Sequence, residues 1–214
     1  MSLHRASRFP CNLLAVIVSI LLVPLAAFAQ PARQNTAFHA VPGAKLAVRA
    51  VQYDGSVNGT LKVEVKNSDK VAHQFTATGL YFVPQGDPDS APQRLGAVGP
   101  LHLGDDAKER TAVDVPAGQT IEVAVDVFCI DSHRDAPTSA NKFDVGATRM
   151  PVELSRAIEQ RADQAVSEMK TANPSAPPAA TRAMAKGAIQ SGVWDSRNRK
   201  WTKLDGEGKQ ETGK

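Results

Sequence analysis

Set aside the first 29 of the 214 residues, and one cysteine, Cys129, remains of the chain's two. A lone thiol closes no internal disulfide, which excludes a disulfide-stapled fold. No apolar run reaches the roughly 20 residues that a membrane-crossing helix needs, so no transmembrane segment is expected in the mature chain. Charge of one sign is also missing. Without Arg5 and Arg8, 23 basic residues face 22 acidic ones, a net charge of +1 that gives no electrostatic footprint for nucleic acid. There is no internal repeat, no glycine-rich phosphate loop, no His-Glu-x-x-His helix and no Gly-x-Ser-x-Gly elbow, and most enzyme templates fall with them.

What is present begins with a leader. Arg5 and Arg8 precede an apolar run from Leu13 to Val23, and Ala27-Phe28-Ala29 supplies a small-residue cleavage site, so residues 1–29 read as a signal peptide. Cys11 lies ahead of the apolar run and leaves with it. The expected location is secreted or periplasmic, an oxidising compartment in which an unpaired cysteine needs a reason.

After an N-terminal segment at 30–42, residues 43–149 alternate in the manner of half-buried strands. Leu61, Val63 and Val65 share one face of TLKVEVKNS; Phe75, Ala77, Gly79, Tyr81 and Val83 share one parity of HQFTATGLYFV; Ile121, Val123, Val125, Val127 and Cys129 share one in TIEVAVDVFCI. Turn chemistry separates these runs at Asp54-Gly55, Asn58-Gly59, Asn67 to Lys70, Pro84 to Pro92 and Pro116 to Gly118. Six or seven short strands with one wet face predict a mainly β chain, an antiparallel immunoglobulin-like sandwich. From 150 to 195 the period changes. Pro151 opens a stripe of Leu154, Ile158, Ala162, Ala165 and Met169, and a second helix is expected from Pro178 to Trp194, the two packing back on the sandwich as a C-terminal extension. Residues 196–214, Arg197 included, read as a polar flexible tail.

Cys129 admits three readings. As a buried, inert thiol it completes the inward set of its strand. As a metal ligand it would join His73 and His133 in a trigonal copper set, but no methionine stands in the loop to serve as the axial ligand. As a nucleophile it would pair with Gln190 in an internal thioester, formed by loss of ammonia in a dry pocket. The ordinary role for Gln190 and Trp194 is that of a helix packing its tryptophan on the sheet with the glutamine hydrogen-bonded nearby. His39, His73 and His102 read as strand or loop histidines, and Asp87, Asp89, Asp105 and Asp106 as solvated turns.

Two short segments carry a family resemblance. Phe128-Cys129-Ile130-Asp131, followed by Ile189-Gln190-Ser191-Gly192-Val193-Trp194, resembles the paired motifs of thioester domains in bacterial surface adhesins. Ile189 stands where that family commonly has threonine, and Gly192 where it has alanine. The resemblance implies a thiol at Cys129, an acyl donor at Gln190, and a bond opened by an amine, with a target lysine joined through an amide. It also implies that Trp194 packs over the bond; Asp131 and His133 stand near enough in sequence to assist proton transfer, though the motif assigns neither. The expected work is binding or attachment to a protein or surface partner rather than turnover, with no cofactor and no metal.

Overall fold

In β3, the sequence TLKVEVK, every second side chain is fully buried (Leu61, Val63, Val65), while Lys62, Glu64 and Lys66 face outward. Period-two burial of this kind fixes both the strand and its register, because a one-residue slip would turn the three apolar side chains to water. The computed structural model describes residues 33–199 apart from 105 and 107; the expected signal peptide, and the tail beyond 199 with Trp201, lie outside the described residues.

Among the described residues nine strands precede two helices: β1 (His39–Ala40), β2 (Ala47–Tyr53), β3 (Thr60–Lys66), β4 (His73–Phe75), β5 (Tyr81–Pro84), β6 (Leu95–Leu103), β7 (Val113–Val115), β8 (Thr120–Cys129), β9 (Phe143–Val145), α1 (Val152–Ala172) and α2 (Pro178–Arg199). The chain is mainly β with two C-terminal helices, as the periodicity predicts. All strand pairing is antiparallel. Seven strands form one sheet in the order β1-β2-β3-β8-β6-β5-β9, and β4 with β7 form a second. The large sheet curls until its ends nearly meet: the Tyr53 ring of β2 stands edge-on to Phe143 of β9 at 5.4 Å, and Gln34 Nε2 donates to the Asn141 carbonyl at 2.5 Å.

One core fills the inside of this curl. Val63, Val65, Val123, Val125, Val127 and Cys129 of the large sheet meet Phe75, Val113 and Val115 of the small one. A second core lies on the outer face, where Tyr81, Val98, Phe128 and Ile130 pack against Met150 ahead of the first helix, Leu154, Ile158 and Ala162 on that helix and Ala185, Ile189 and Val193 on the other. Burying each of the larger side chains contributes about 1.5–3 kcal/mol. The outer face is thus wet over β2, β3 and the start of β8, where Arg49 and Lys62 pair with Glu64 and Glu122, and dry over β6 and the rest of β8.

HQFTATGLYFV is not one strand. Gly79 adopts a left-handed φ of +80°, the Leu80 amide donates back to the Ala77 carbonyl at 2.9 Å, and the alternation changes phase across this turn. Phe75, Ala77, Leu80 and Phe82 therefore face the inner core, while Tyr81 faces the helices. A Cβ added at Gly96 would sit 2.7 Å from Ile130 Cγ2 and 3.4 Å from Met150 Cε, so the missing side chain is what lets the entry to α1 lie close on the sheet. α1 begins one residue after the expected proline, Pro151 serving as its N-cap, with Glu153 in its first turn and Lys170 in its last, charges that complement the helix dipole. α2 begins at the expected Pro178 but runs past Trp194 to Arg199.

Candidate functional site: Cys129 and Gln190

β8 outlasts β3 at one end. The last paired residue of β3 is Thr60, opposite Asp126, so the polar atoms of Cys129 that face this side have no regular strand beside them. Two groups take its place. The Val57 carbonyl accepts from the Cys129 amide at 3.0 Å, and the side chain of Gln190 on α2 supplies the rest. Gln190 Nε2 donates to the Cys129 carbonyl at 2.7 Å, and Gln190 Oε1 accepts from the Cys129 amide at 3.1 Å. A primary carboxamide has the donor and acceptor of a peptide group, and here it pairs with Cys129 as a neighbouring strand would. Two residues 61 positions apart are thereby joined at a site where Cys129 is 0% exposed and Gln190 4%.

Burial, and secondarily the charge of Asp131, push the Cys129 thiol up to about 12. The thiol is therefore protonated at neutral pH and a poor nucleophile toward anything in solution. The Tyr53 phenol, fully buried in the same inner core, is pushed up by burial and by the neighbouring thiol, and its hydroxyl donates to the Ser56 carbonyl. Trp194, half-buried one turn beyond Gln190, packs against the core that contains Cys129, and its Nε1 donates to Gln93 Oε1 at 3.2 Å. Phe128 points to the other face and is buried in the outer core.

Asp131 is fully buried two residues past the thiol, but its carboxylate is occupied. Oδ2 accepts from the Arg94 amide at 3.1 Å and from Arg94 Nε at 2.8 Å, and Oδ1 accepts from Arg94 Nη2 at 2.6 Å. Burial alone would raise this carboxyl; the Arg94 hydrogen bonds and charge outweigh it and hold the group below the usual carboxylate range. A carboxylate so held is a poor proton acceptor. Arg197 Nη2 lies 3.8 Å from Oδ1 with its side chain 0% exposed, so this residue belongs to the interior and not to a solvated tail. Neither Arg94 nor Arg197 was legible as a site residue: each is one arginine among many, and only the fold brings them onto a common aspartate.

His133 lies exposed on the turn that follows Asp131, away from the buried position of the thiol. His73 sits on the two-stranded sheet opposite Val115, with Nε2 2.9 Å from Asp69 Oδ2. The histidines of the copper set are thus dispersed, and among the described residues no three His, Cys, Asp or Glu side chains are grouped to hold a metal. A cavity of about 500 Å³ opens elsewhere, lined by Val98, Glu109, Arg110, Glu159, Asp163 and Arg182. Neither Cys129 nor Gln190 lines it, so its size says nothing of the chemistry at the buried pair. Compared with known proteins, the chain matches no family profile, no curated protein and no solved structure.

Proposed function

We propose that this is an exported attachment protein whose Cys129 and Gln190 form an internal thioester that a target amine opens. The observation that carries the reading is the pair of hydrogen bonds that sets the Gln190 carboxamide on Cys129 in a fully buried site. In the first step the thiol sulfur bonds to the Gln190 carbonyl carbon, the carbon–nitrogen bond breaks, and the thiol proton leaves with the nitrogen as ammonia. In the second step a lysine amine of a protein or surface partner attacks the same carbon, giving an amide to the target and returning a proton to Cys129. The Cys129 amide, shared with the Val57 carbonyl, also donates to the oxygen on which negative charge builds in both steps, the role of an oxyanion donor. Exclusion of water protects the acyl group between them. No cofactor enters this scheme.

Within this reading the β region is an immunoglobulin-like scaffold. Its support is antiparallel pairing throughout and one inner core shared by two sheets. Secretion or a periplasmic location follows from the leader at 1–29.

Intact mass of the purified mature protein tests the bond. The expected mass is short by one ammonia, and treatment with methylamine restores the deficit while releasing one titratable thiol. A full-mass protein with a free thiol, isolated without exposure to amines or alkali, rules the thioester out. One observation favours a second reading, that of a noncovalent binding module with an inert cysteine: the same two hydrogen bonds complete the ladder at the end of β8 and need no chemistry to account for them.

A further inference from the structure

The apolar contacts of α2 repeat every four residues: Ala185, Ile189 and Val193, all fully buried, form a single ridge on the outer core. Such a ridge holds a helix down but fixes its register weakly. A slip of one turn, about 5.4 Å, would replace one small aliphatic contact by the next and bring Lys186 or Trp194 to Cys129 in place of Gln190. Polar contacts must set the register: Arg182 Nε donates to Glu109 Oε1 at 2.9 Å, Lys186 stands 3.5 Å from Asp126 and Trp194 donates to Gln93, each pair partly open to water, whereas the contact of Arg197 is wholly buried. One turn beyond Trp194, Arg197 reaches the carboxylate of Asp131, and Asp131 stands two residues past Cys129 on the segment leaving β8. Arg94, just before β6, holds that carboxylate through three donors, one of them on the same Oδ1.

The strand end that presents the thiol therefore also presents the counter-charge for the helix that presents the carboxamide. All three side chains are almost wholly withdrawn from water: Arg94 7% exposed, Asp131 0% and Arg197 0%. Buried ion pairs contribute little net stability relative to apolar residues of the same size, and their best-attested use is to fix register. We infer that Arg197, held by the Arg94–Asp131 pair, is a positioning residue that locks α2 in the one register placing the Gln190 carboxamide on Cys129. As a statement about acyl transfer this rests on the thioester reading; as a statement about where Gln190 sits it does not.

The test separates the two. Arg197→Met keeps the bulk and leaves the Arg94–Asp131 pair intact. In a Cys129→Ala background, where the carboxamide cannot be consumed, side-chain amide exchange of Gln190 is followed by NMR, with the backbone amides of Val123 to Val127 as the control on the fold. Arg197→Met is expected to speed Gln190 exchange by roughly tenfold or more with the sheet amides unchanged, and Arg197→Lys to restore much of the protection. Unchanged exchange in Arg197→Met overturns the inference. In the Cys129 chain, intact mass should show that the ammonia-deficient fraction falls in Arg197→Met and recovers in Arg197→Lys; equal fractions in all three proteins also overturn it. If the unsubstituted protein has full mass, the thioester reading fails and the exchange result alone decides the positioning role. Should Arg197→Met not fold, Arg197→Gln, which also removes the charge but keeps a polar side chain, decides it by the same two readouts: faster Gln190 exchange supports the inference and unchanged exchange overturns it.

Discussion

Gln190 does with its side chain what a strand does with its backbone, and both of its hydrogen bonds matter. Gln190→Glu keeps the shape but turns an oxygen toward the Cys129 carbonyl, leaving a buried acceptor unmatched. Such a loss costs about 1–3 kcal/mol, more if the carboxylate stays charged, and chemical denaturation should register it as a lower midpoint with an unchanged slope. Cys129 itself makes a prediction in alkali. In the free-thiol form its pKa in the fold is about 12 against an ordinary 9.0, so the folded state keeps a proton that the unfolded chain releases. The stability from this group is whole below the ordinary value and is lost as pH climbs from there toward 12, by up to about 1.4 kcal/mol per pH unit. Thermal midpoints measured across that window should fall less steeply in Cys129→Ala, by one proton's worth of slope. The part of the Tyr53 shift that comes from burial, in the same direction, remains in both proteins, while the smaller part due to Cys129 goes with the thiol.

The two helices are the covers of the dry outer face, and α2 rests chiefly on α1 and touches the sheet less. Ile189→Ala removes a fully buried side chain from its central turn, at a cost of about 2–5 kcal/mol. Hydrogen exchange should then rise across α2 well before it rises in β3 and β8; uniform acceleration would mean that helix and sheet unfold as one unit. Leu61, Val63 and Val65 and the inward set of β8 were legible because period-two patterning survives wherever one face is apolar and the other wet. The other parity of β8 was not legible. Ala124, Asp126 and Phe128 are buried by helices whose packing no local pattern announces, and Asp126 finds Lys186 of α2 at 3.5 Å. HQFTATGLYFV misleads because its alternation continues through Gly79 in the sequence while the chain turns there in space. Cys129 and Gln190 could be singled out by residue type and order, but the atoms through which they meet could not: the contact runs through the cysteine backbone, and every residue has one.

The described residues form two cores separated by a single sheet, so the β region is complete on its inside and incomplete on its outside. A chain ending at Met150 would expose Tyr81, Val98, Phe128 and Ile130 as one apolar patch. That chain should bind a hydrophobic dye and associate at micromolar concentration, whereas the full chain should do neither. Recovery of a well-folded monomer from the shortened chain would show that the helices are accessories and not a wall.

The placement of Gln190 Nε2 against the Cys129 carbonyl has a thermodynamic consequence for the proposed chemistry. Closing the thioester expels the Gln190 nitrogen that donates to that buried oxygen, so the closed form loses this hydrogen bond. Attack by a primary amine returns an N–H to the same position, while attack by water leaves an oxygen facing an oxygen. The end of β8 would then act as a ratchet, tilted toward the amide product and against simple hydrolysis by the worth of a single restored donor.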